Sequence, residues 1–356
     1  MWTSLGRLKQ QQVPPFGRND NRSMDRNDKR SLDRNDNRLF GNDKQDLWAR
    51  TCATVGAVVW AGMTVLARMG IARIGAIELL FLFGPLVIVP LGMELGRGMG
   101  GAGRLEELAR RVQPVGAALV VVAIWLPPGR RAGLIAAGWM VVCLLMALSG
   151  VVSVGRALAE GNVRATRLVM DIARMDLAVG GAWLVASRWG MRPMGIQEPI
   201  GLLTAVHFHF AGFATAMIAA ATLGFAERRA EDKQRWLRVV VGMVAGMPIV
   251  VAAGFVVSPV LKMGAAILFS VSVAVLAIAV RGCGGKAEDA TARVLLQVAA
   301  GAVFAGMVLS GSYAVADYVG SAVLTIPQMA RTHGVLNAVG FCLPGLLGWL
   351  VERRSR

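Results

Sequence analysis

The sequence predicts an all-α, polytopic transmembrane helical bundle of about ten spans with both termini cytoplasmic. Three observations carry that prediction. Hydrophobic residues make up 55% of the 356 positions and charged residues only 17%, with 43 glycines and 18 methionines, and the mean hydropathy is +0.55; a water-soluble domain is far more polar. Apolar runs of about 17 to 25 residues recur from Ala53 onward, the length that crosses a bilayer as a helix. Arginines fall between those runs and alternate in density from one break to the next, as the positive-inside rule requires. The formal charge of +16 has the same origin. A nucleic-acid partner is not expected, because the basic residues are not gathered on a soluble face with aromatics between them.

Residues 1–49 stand apart. They hold an imperfect eight-residue repeat, RNDNRSMD from Arg18, RNDKRSLD from Arg26 and RNDNRLFG from Arg34. Mixed charge with little apolar content cannot bury a core, so this segment is expected to be a disordered cytoplasmic tail. Translation beginning at Met24 or later would explain it equally well. Residues 50–352 form the expected membrane domain and 353–356 a basic tail. Within the domain the expected spans lie at roughly 51–67, 74–95, 112–127, 132–154, 168–188, 199–225, 236–257, 259–280, 293–317 and 334–351. Pro85 and Pro90 in the second and Pro344 in the tenth predict kinks.

With cytoplasmic termini, inner loops carry Arg97, Arg104, Arg110 and Arg111; Arg156, Arg164 and Arg167; Arg228, Arg229, Lys233, Arg235 and Arg238; Arg281, Lys286 and Arg293; and the tail Arg353, Arg354 and Arg356. Outer loops hold only Arg68, Arg73, Arg130, Arg131, Arg188, Arg192, Lys262 and Arg331. Each inner loop outweighs its outer neighbours. The localisation this implies is the bacterial inner (cytoplasmic) membrane, multi-pass, with membrane lipid as the surrounding partner. The four cysteines, Cys52, Cys143, Cys283 and Cys342, show no CxxC or Cys/His spacing and read as small hydrophobes.

Polar residues inside spans are costly and mark sites. At 1.5 Å per residue, His207 and His209 lie about 12 to 15 Å below the outer end of the sixth span. His333 lies at the mouth of the tenth with Asn337 a turn inside. Ser310, Ser312, Tyr313 and Asp317 fall in the outer part of the ninth, and Glu78 a turn into the second. All three histidines of the chain thus gather in one half of the membrane, which predicts a polar cavity near the outer surface. Asp171, Arg174 and Asp176 fall at the inner end of the fifth span, where Asp171 can pair with Arg167 or Arg174. Glu94 is expected at the inner interface.

Residues two apart on a helix point about 200° apart, so only one of His207 and His209 is expected to face the cavity, and spacing does not choose between them. Three uses compete. Imidazole suits acid–base chemistry, with Asp317 or Glu78 as charge partner. A metal site would need His207 or His209 with His333 and Asp317, but HxH fits a regular helix poorly, so none is expected. The third use is interhelical hydrogen bonding alone. No haem attachment motif is present, and no nucleotide-binding motif either, so no cofactor is expected. Gly212, Gly306, Gly311, Gly334 and Gly340 allow close helix approach.

The stretches TAVHFHFAGF (Thr204 to Phe213) and THGVLNAVGF (Thr332 to Phe341) together resemble the paired signatures of YndJ-like integral membrane proteins, most clearly in the C-terminal half. The resemblance implies a bacterial multi-helix membrane protein whose signature residues correspond here to His207, His209, His333 and Asn337. Two functions are then expected. In the first, an intramembrane acid–base enzyme uses His207, His209, Asp317 and Glu78 for catalysis. His333, Asn337, Tyr313 and Thr204 bind a small lipophilic substrate, and the reaction is an isomerisation, cyclisation or epoxide opening. In the alternative, the same histidines carry a coupling proton in a small-molecule transporter. A sensor or assembly role is the third, non-catalytic class. A cavity closed at its inner end favours the enzyme, and a polar path continuing toward Asp171 and Asp176 favours transport.

Overall fold

The structure, a computed structural model, describes residues 26–100, 103–229, 234–321 and 323–355, with the side chains of 26–46, 100 and 234 left aside. The chain divides into two units, Met1–Gln45 and Asp46–Arg356. Residues 1–25 of the charged tail lie outside the described residues. From Arg26 the backbone is helical, where disorder was expected. Everything below concerns the second unit.

Among the described residues the regular structure is entirely helical. The helices are α1 (Arg26–Arg68, apolar from Leu47), α2 (Ala76–Met99), α3 (Arg104–Trp125), α4 (Arg130–Ala159), α5 (Ala165–Trp189), α6 (Ile200–Arg228), α7 (Gln234–Val257), α8 (Pro259–Gly285), α9 (Ala290–Tyr318) and α10 (Ile326–Arg354). Nine of these are long and apolar enough to cross a membrane. The exception is α5, whose Asp171, Arg174 and Asp176 lower its hydropathy, although at 25 residues it has the required length. Each expected span corresponds to one helix. Both α3 and α10 start about eight residues earlier than expected, α10 at Ile326 rather than 334 and α3 at Arg104 rather than near 112, the latter because its charged first turns are paired with neighbouring helices (below) and remain helical.

Short connections make consecutive helices antiparallel neighbours. Accordingly α3 lies on α4, α4 on α5, α7 on α8, α8 on α9 and α9 on α10. Two helices are central: α2 touches α3, α5, α6 and α10, and α6 touches α2, α5, α7, α8 and α10. Their apolar windows are 83% and 78% buried, against 22% for α1 and 33% for α4 and α9, so the outer helices keep apolar faces for lipid. Gly150 permits one such approach: a Cβ there would meet the backbone of Asp171 at 2.6 Å. The starts of the last spans are capped locally. Ser258 accepts from the Leu261 N–H, and Thr325 and Gln328 form a reciprocal capping box. Asp289 accepts from the Ala292 N–H, and that bond holds its carboxyl below the usual carboxylate range.

Among the described residues three helices widen into π turns, the two central ones and α10. α2 widens into a π turn at Gly84–Ile88, α6 at Phe208–Ala214, and α10 at Ala330–Gly334 and Leu336–Cys342. Pro85 lies in the first, and Pro344 directly follows the last. The widened turns shift backbone carbonyls out of register, and side chains take them up. Gln113 of α3 donates to Pro85 O at 2.8 Å, and Thr215 Oγ1 donates to Phe210 O at 2.9 Å. The segment FHFAGFA, the core of the first histidine stretch, is therefore a π segment rather than a regular helix.

Candidate functional site

A cavity of about 380 Å³ opens between α6, α7, α8, α9 and α10, with Leu80 of α2 at its side. It occupies the end of the bundle that carries the α5–α6, α7–α8 and α9–α10 connections. Thr204, His207, Tyr313, Asp317, His333 and Asn337 all line it, so six residues singled out in the sequence meet there. His209 and Glu78 do not line it.

The two imidazoles of α6 part company. His209 is fully buried on the far side of the helix. Its Nδ1 lies 2.8 Å from Ala205 O, one turn back, and its Nε2 lies 2.9 Å from Trp139 Nε1 of α4. Indole nitrogen only donates and a carbonyl only accepts, so the ring carries its proton on Nδ1 and has both nitrogens satisfied. Phe81 approaches it edge-on at 5.0 Å, and Gly180 of α5 leaves room for it: a Cβ there would meet His209 Nδ1 at 2.6 Å. His209 is a positioning residue that ties α6 to α4 and α5, and the catalytic role expected for it does not fit this geometry.

His207 instead faces the cavity, in edge contact with Phe269 of α8, with ring centroids 5.9 Å apart. Its Nε2 is buried and has no protein hydrogen-bond partner. A polar atom in that position has lost water and gained nothing from the protein, and His207 is the residue with such an atom that also lines the cavity. His333 stands in the same cavity with its surroundings fixed. Nδ1 lies 2.9 Å from Gly306 O, which makes it the donor, and Asn337 lies across the ring with its amide 3.2 Å from Nε2 and 2.7 Å from His333 O. Gly306 lets α10 come this close, since a Cβ there would meet the Asn337 amide at 3.2 Å.

The expected charge partners are elsewhere. Asp317 accepts from Lys262 Nζ at 2.8 Å, and the pair sits partly exposed at the cavity mouth beside Tyr313, with the ammonium 5.3 Å from the Phe255 ring. Asp317 therefore balances a lysine rather than orienting an imidazole. Glu78 lies in the first turn of α2, where a carboxylate is favoured by the helix N-terminus. Thr204 gives its hydroxyl hydrogen to Ile200 O at 2.8 Å and offers the cavity an acceptor. Sequence reasoning missed Lys262, counted only as a loop charge, and Thr215; the position of Lys262 three residues after the Ser258-Pro259 helix start was the available signal. Among the described residues no three His, Cys, Asp or Glu side chains come together as a metal-binding group.

Farther along the same helices, toward the other end of the bundle, Phe213 and Ile218 of α6, Val303 of α9 and Phe341 of α10 are fully buried and do not line the cavity. Beyond it lies a second polar region made of ion pairs. Arg174 of α5 reaches Asp171 and Glu106 of α3, each at 2.8 Å. Glu94 of α2, expected at the interface, is buried: it accepts from Arg110 of α3 at 2.8 Å and from Arg353 of α10 at 3.2 Å, and Arg353 also reaches Glu94 O. Arg110 stacks over the Trp48 ring at 4.3 Å. Arg167, the other expected partner of Asp171, reaches Ser153 at 3.1 Å. Glu352 accepts from the backbone N–H groups of Glu288 and Asp289, joining α10 to the α8–α9 connection.

Comparison with known proteins agrees with the architecture. The family described as YndJ-like protein matches residues 79–341, which include both histidine stretches and every cavity-lining residue. A protein of Bacillus subtilis (strain 168), "Uncharacterized membrane protein YndJ", is 28% identical over 176 residues, covering 49% of this chain and 31% of that protein, so the chain spans about a third of that relative's length. No solved structure is significantly similar. With the family match extending over well more than half of its length, this polytopic membrane protein belongs to the YndJ-like family.

Proposed function

We propose that the cavity binds a small lipophilic molecule carrying one oxygen function, and that His207 acts on it as an acid or base. The observation that carries this reading is the buried, unpartnered Nε2 of His207 in a cavity of about 380 Å³ whose walls are mostly apolar. Such a volume suits a compact ligand, and apolar walls with a few directed polar groups are the usual make-up of a small-molecule site. His333 and Asn337, held by Gly306 O, supply a fixed polar wall for the ligand oxygen. Lys262 and Asp317 neutralise each other at the mouth, so the cavity favours a ligand without net charge. Isomerisation, cyclisation and epoxide opening fit, since each moves protons and needs no electron carrier. The fully buried apolar side chains farther along the lining helices, Phe213, Val303 and Phe341, favour such a single-entry site over a through path. On the orientation implied by the arginine distribution, with both termini cytoplasmic in a bacterial inner membrane, the cavity opens toward the outer leaflet.

A second reading is a carrier, favoured by one observation: the end opposite the cavity is shut by buried ion pairs between α2, α3, α5 and α10, as a closed gate would be. Metabolite profiling of cells expressing wild type, His207→Gln or Asn337→Ala at matched membrane levels separates these readings. A compound converted only by wild type supports the enzyme. A compound whose cellular distribution changes without conversion supports the carrier. Identical profiles from all three strains would remove both.

A further inference from the structure

Asp176 is a charged-type residue that the His207 site does not use. It lies near the middle of α5, about 16 Å from the start of the helix, and is 1% exposed. Its Oδ2 has no protein hydrogen-bond partner. The carboxyl rests on the π segment of α6, at Gly212, where a Cβ would meet Oδ2 at 2.7 Å and the Asp176 Cβ at 2.9 Å. Only glycine at 212 leaves room for the group, so the two helices are shaped around it.

The charged neighbours are committed elsewhere. On α5 itself Arg174 spends both terminal nitrogens on Asp171 and on Glu106 of α3; its Nε is unpartnered but leaves the helix two residues away, on the opposite face. On α2 the buried ionisable group is Glu94, paired with Arg110 and Arg353. From α6 the nearest is His209, one turn farther along α5 against Gly180, with both nitrogens bonded. On α4, which packs on α5, the buried residues include Cys143, Met146 and Ser149, and on α7, which also touches α5, they include Val241, Val244 and Ala245. Among the described residues no cation is paired with Asp176. An ionised carboxylate in such a place loses its hydration with no compensation, whereas the neutral acid fits against a backbone whose carbonyls are loosened by the π turn.

We propose that Asp176 is a proton-binding site of the membrane domain, occupied in this conformation, at which loss of the proton requires α5 and the π segment of α6 to separate. The site links the two polar regions of the bundle. Toward one end, one turn of α5 leads to Gly180, against His209 of the segment that carries His207; toward the other, Arg174 and its ion pairs lie two residues back on the opposite face of α5. The proposal stands independently of the small-molecule reading, because it concerns a carboxyl outside the cavity and is read without any ligand.

The test is infrared spectroscopy of the full chain in detergent at neutral pH, comparing wild type with Asp176→Asn and, as a control for other carboxyls, Glu94→Gln. The expected result is a protonated-carboxyl C=O band in wild type that shifts in heavy water, persists in Glu94→Gln and is lost in Asp176→Asn. Thermal melting supplies the second readout: Asn is the uncharged counterpart of the acid, so Asp176→Asn is expected to melt with wild type. A spectrum in which wild type and Asp176→Asn show the same carboxyl bands overturns the proposal. So does a wild-type melt raised by sodium chloride, relative to choline chloride, with the rise abolished in Asp176→Asn, since that assigns the carboxylate to a metal cation. Loss of folding in Asp176→Asn together with an unchanged band in the fraction that does fold likewise overturns it.

Discussion

The two polar ends of the bundle are built on opposite terms. At the ion-paired end, Arg174 answers two carboxylates and Glu94 answers two arginines, and these groups come from α2, α3, α5 and α10. At the cavity end, His207 keeps a nitrogen without a protein partner, and the ionic pair Lys262–Asp317 is left at the mouth, partly exposed. The difference separates structural polarity from functional polarity. Where a buried polar group has its hydrogen bonds met by the protein, it fixes helices against one another. Where it does not and it also faces a cavity, as His207 does, the unmet nitrogen is what the proposed ligand would engage. His209 shows that the rule cuts within one motif: two residues from His207, it has both nitrogens met and belongs with the structural set.

Substitutions sharpen that comparison, and their effects on stability should fall steadily from one end to the other. Arg174→Ala removes the arginine paired directly with both Asp171 and Glu106 and should cost about 3–5 kcal/mol, seen as loss of folded protein in membranes and a much lower melting temperature. Glu94→Ala removes the carboxylate shared by Arg110 and Arg353, but Arg110 keeps its stacking on Trp48 and Arg353 is partly exposed, so its cost should be smaller, about 2–3 kcal/mol in the same measurement. Trp139→Phe keeps an aromatic ring but removes the donor to His209 Nε2, for a loss of about 1 kcal/mol. Lys262→Ala opens a partly exposed pair and should cost about 0–1 kcal/mol. His207→Gln should change stability by about 0.5 kcal/mol or less, while abolishing whatever the cavity does. A His207→Gln protein as unstable as Trp139→Phe would place His207 with the structural groups and erase the distinction.

The sequence made the helices legible because a bilayer imposes a length, and each apolar run of that length became a helix. It made α3 legible only in part. Residues 104–111 read as a charged loop, since nothing local says that Glu106 will meet Arg174 68 positions later or that Arg110 will meet Glu94. The convergence of Thr204, His207, Tyr313, Asp317, His333 and Asn337 was legible because distance from a helix end converts to depth, and groups at equal depth on adjoining helices meet. Direction was not. Which of His207 and His209 turns inward depends on Trp139, 70 residues earlier, and on Gly180. The π segments were foreshadowed by Pro85 and Pro344 alone; the widened turn in FHFAGFA has no proline and nothing in its composition announces it.

The central claim is that His207 holds a nitrogen in reserve for a small molecule, and mass spectrometry of the intact protein released from native membranes tests it most directly. Wild type should carry a bound species of small mass and no net charge that is absent from His207→Gln and retained by Trp139→Phe. The same bound species on both wild type and His207→Gln, in equal amount, would contradict the claim.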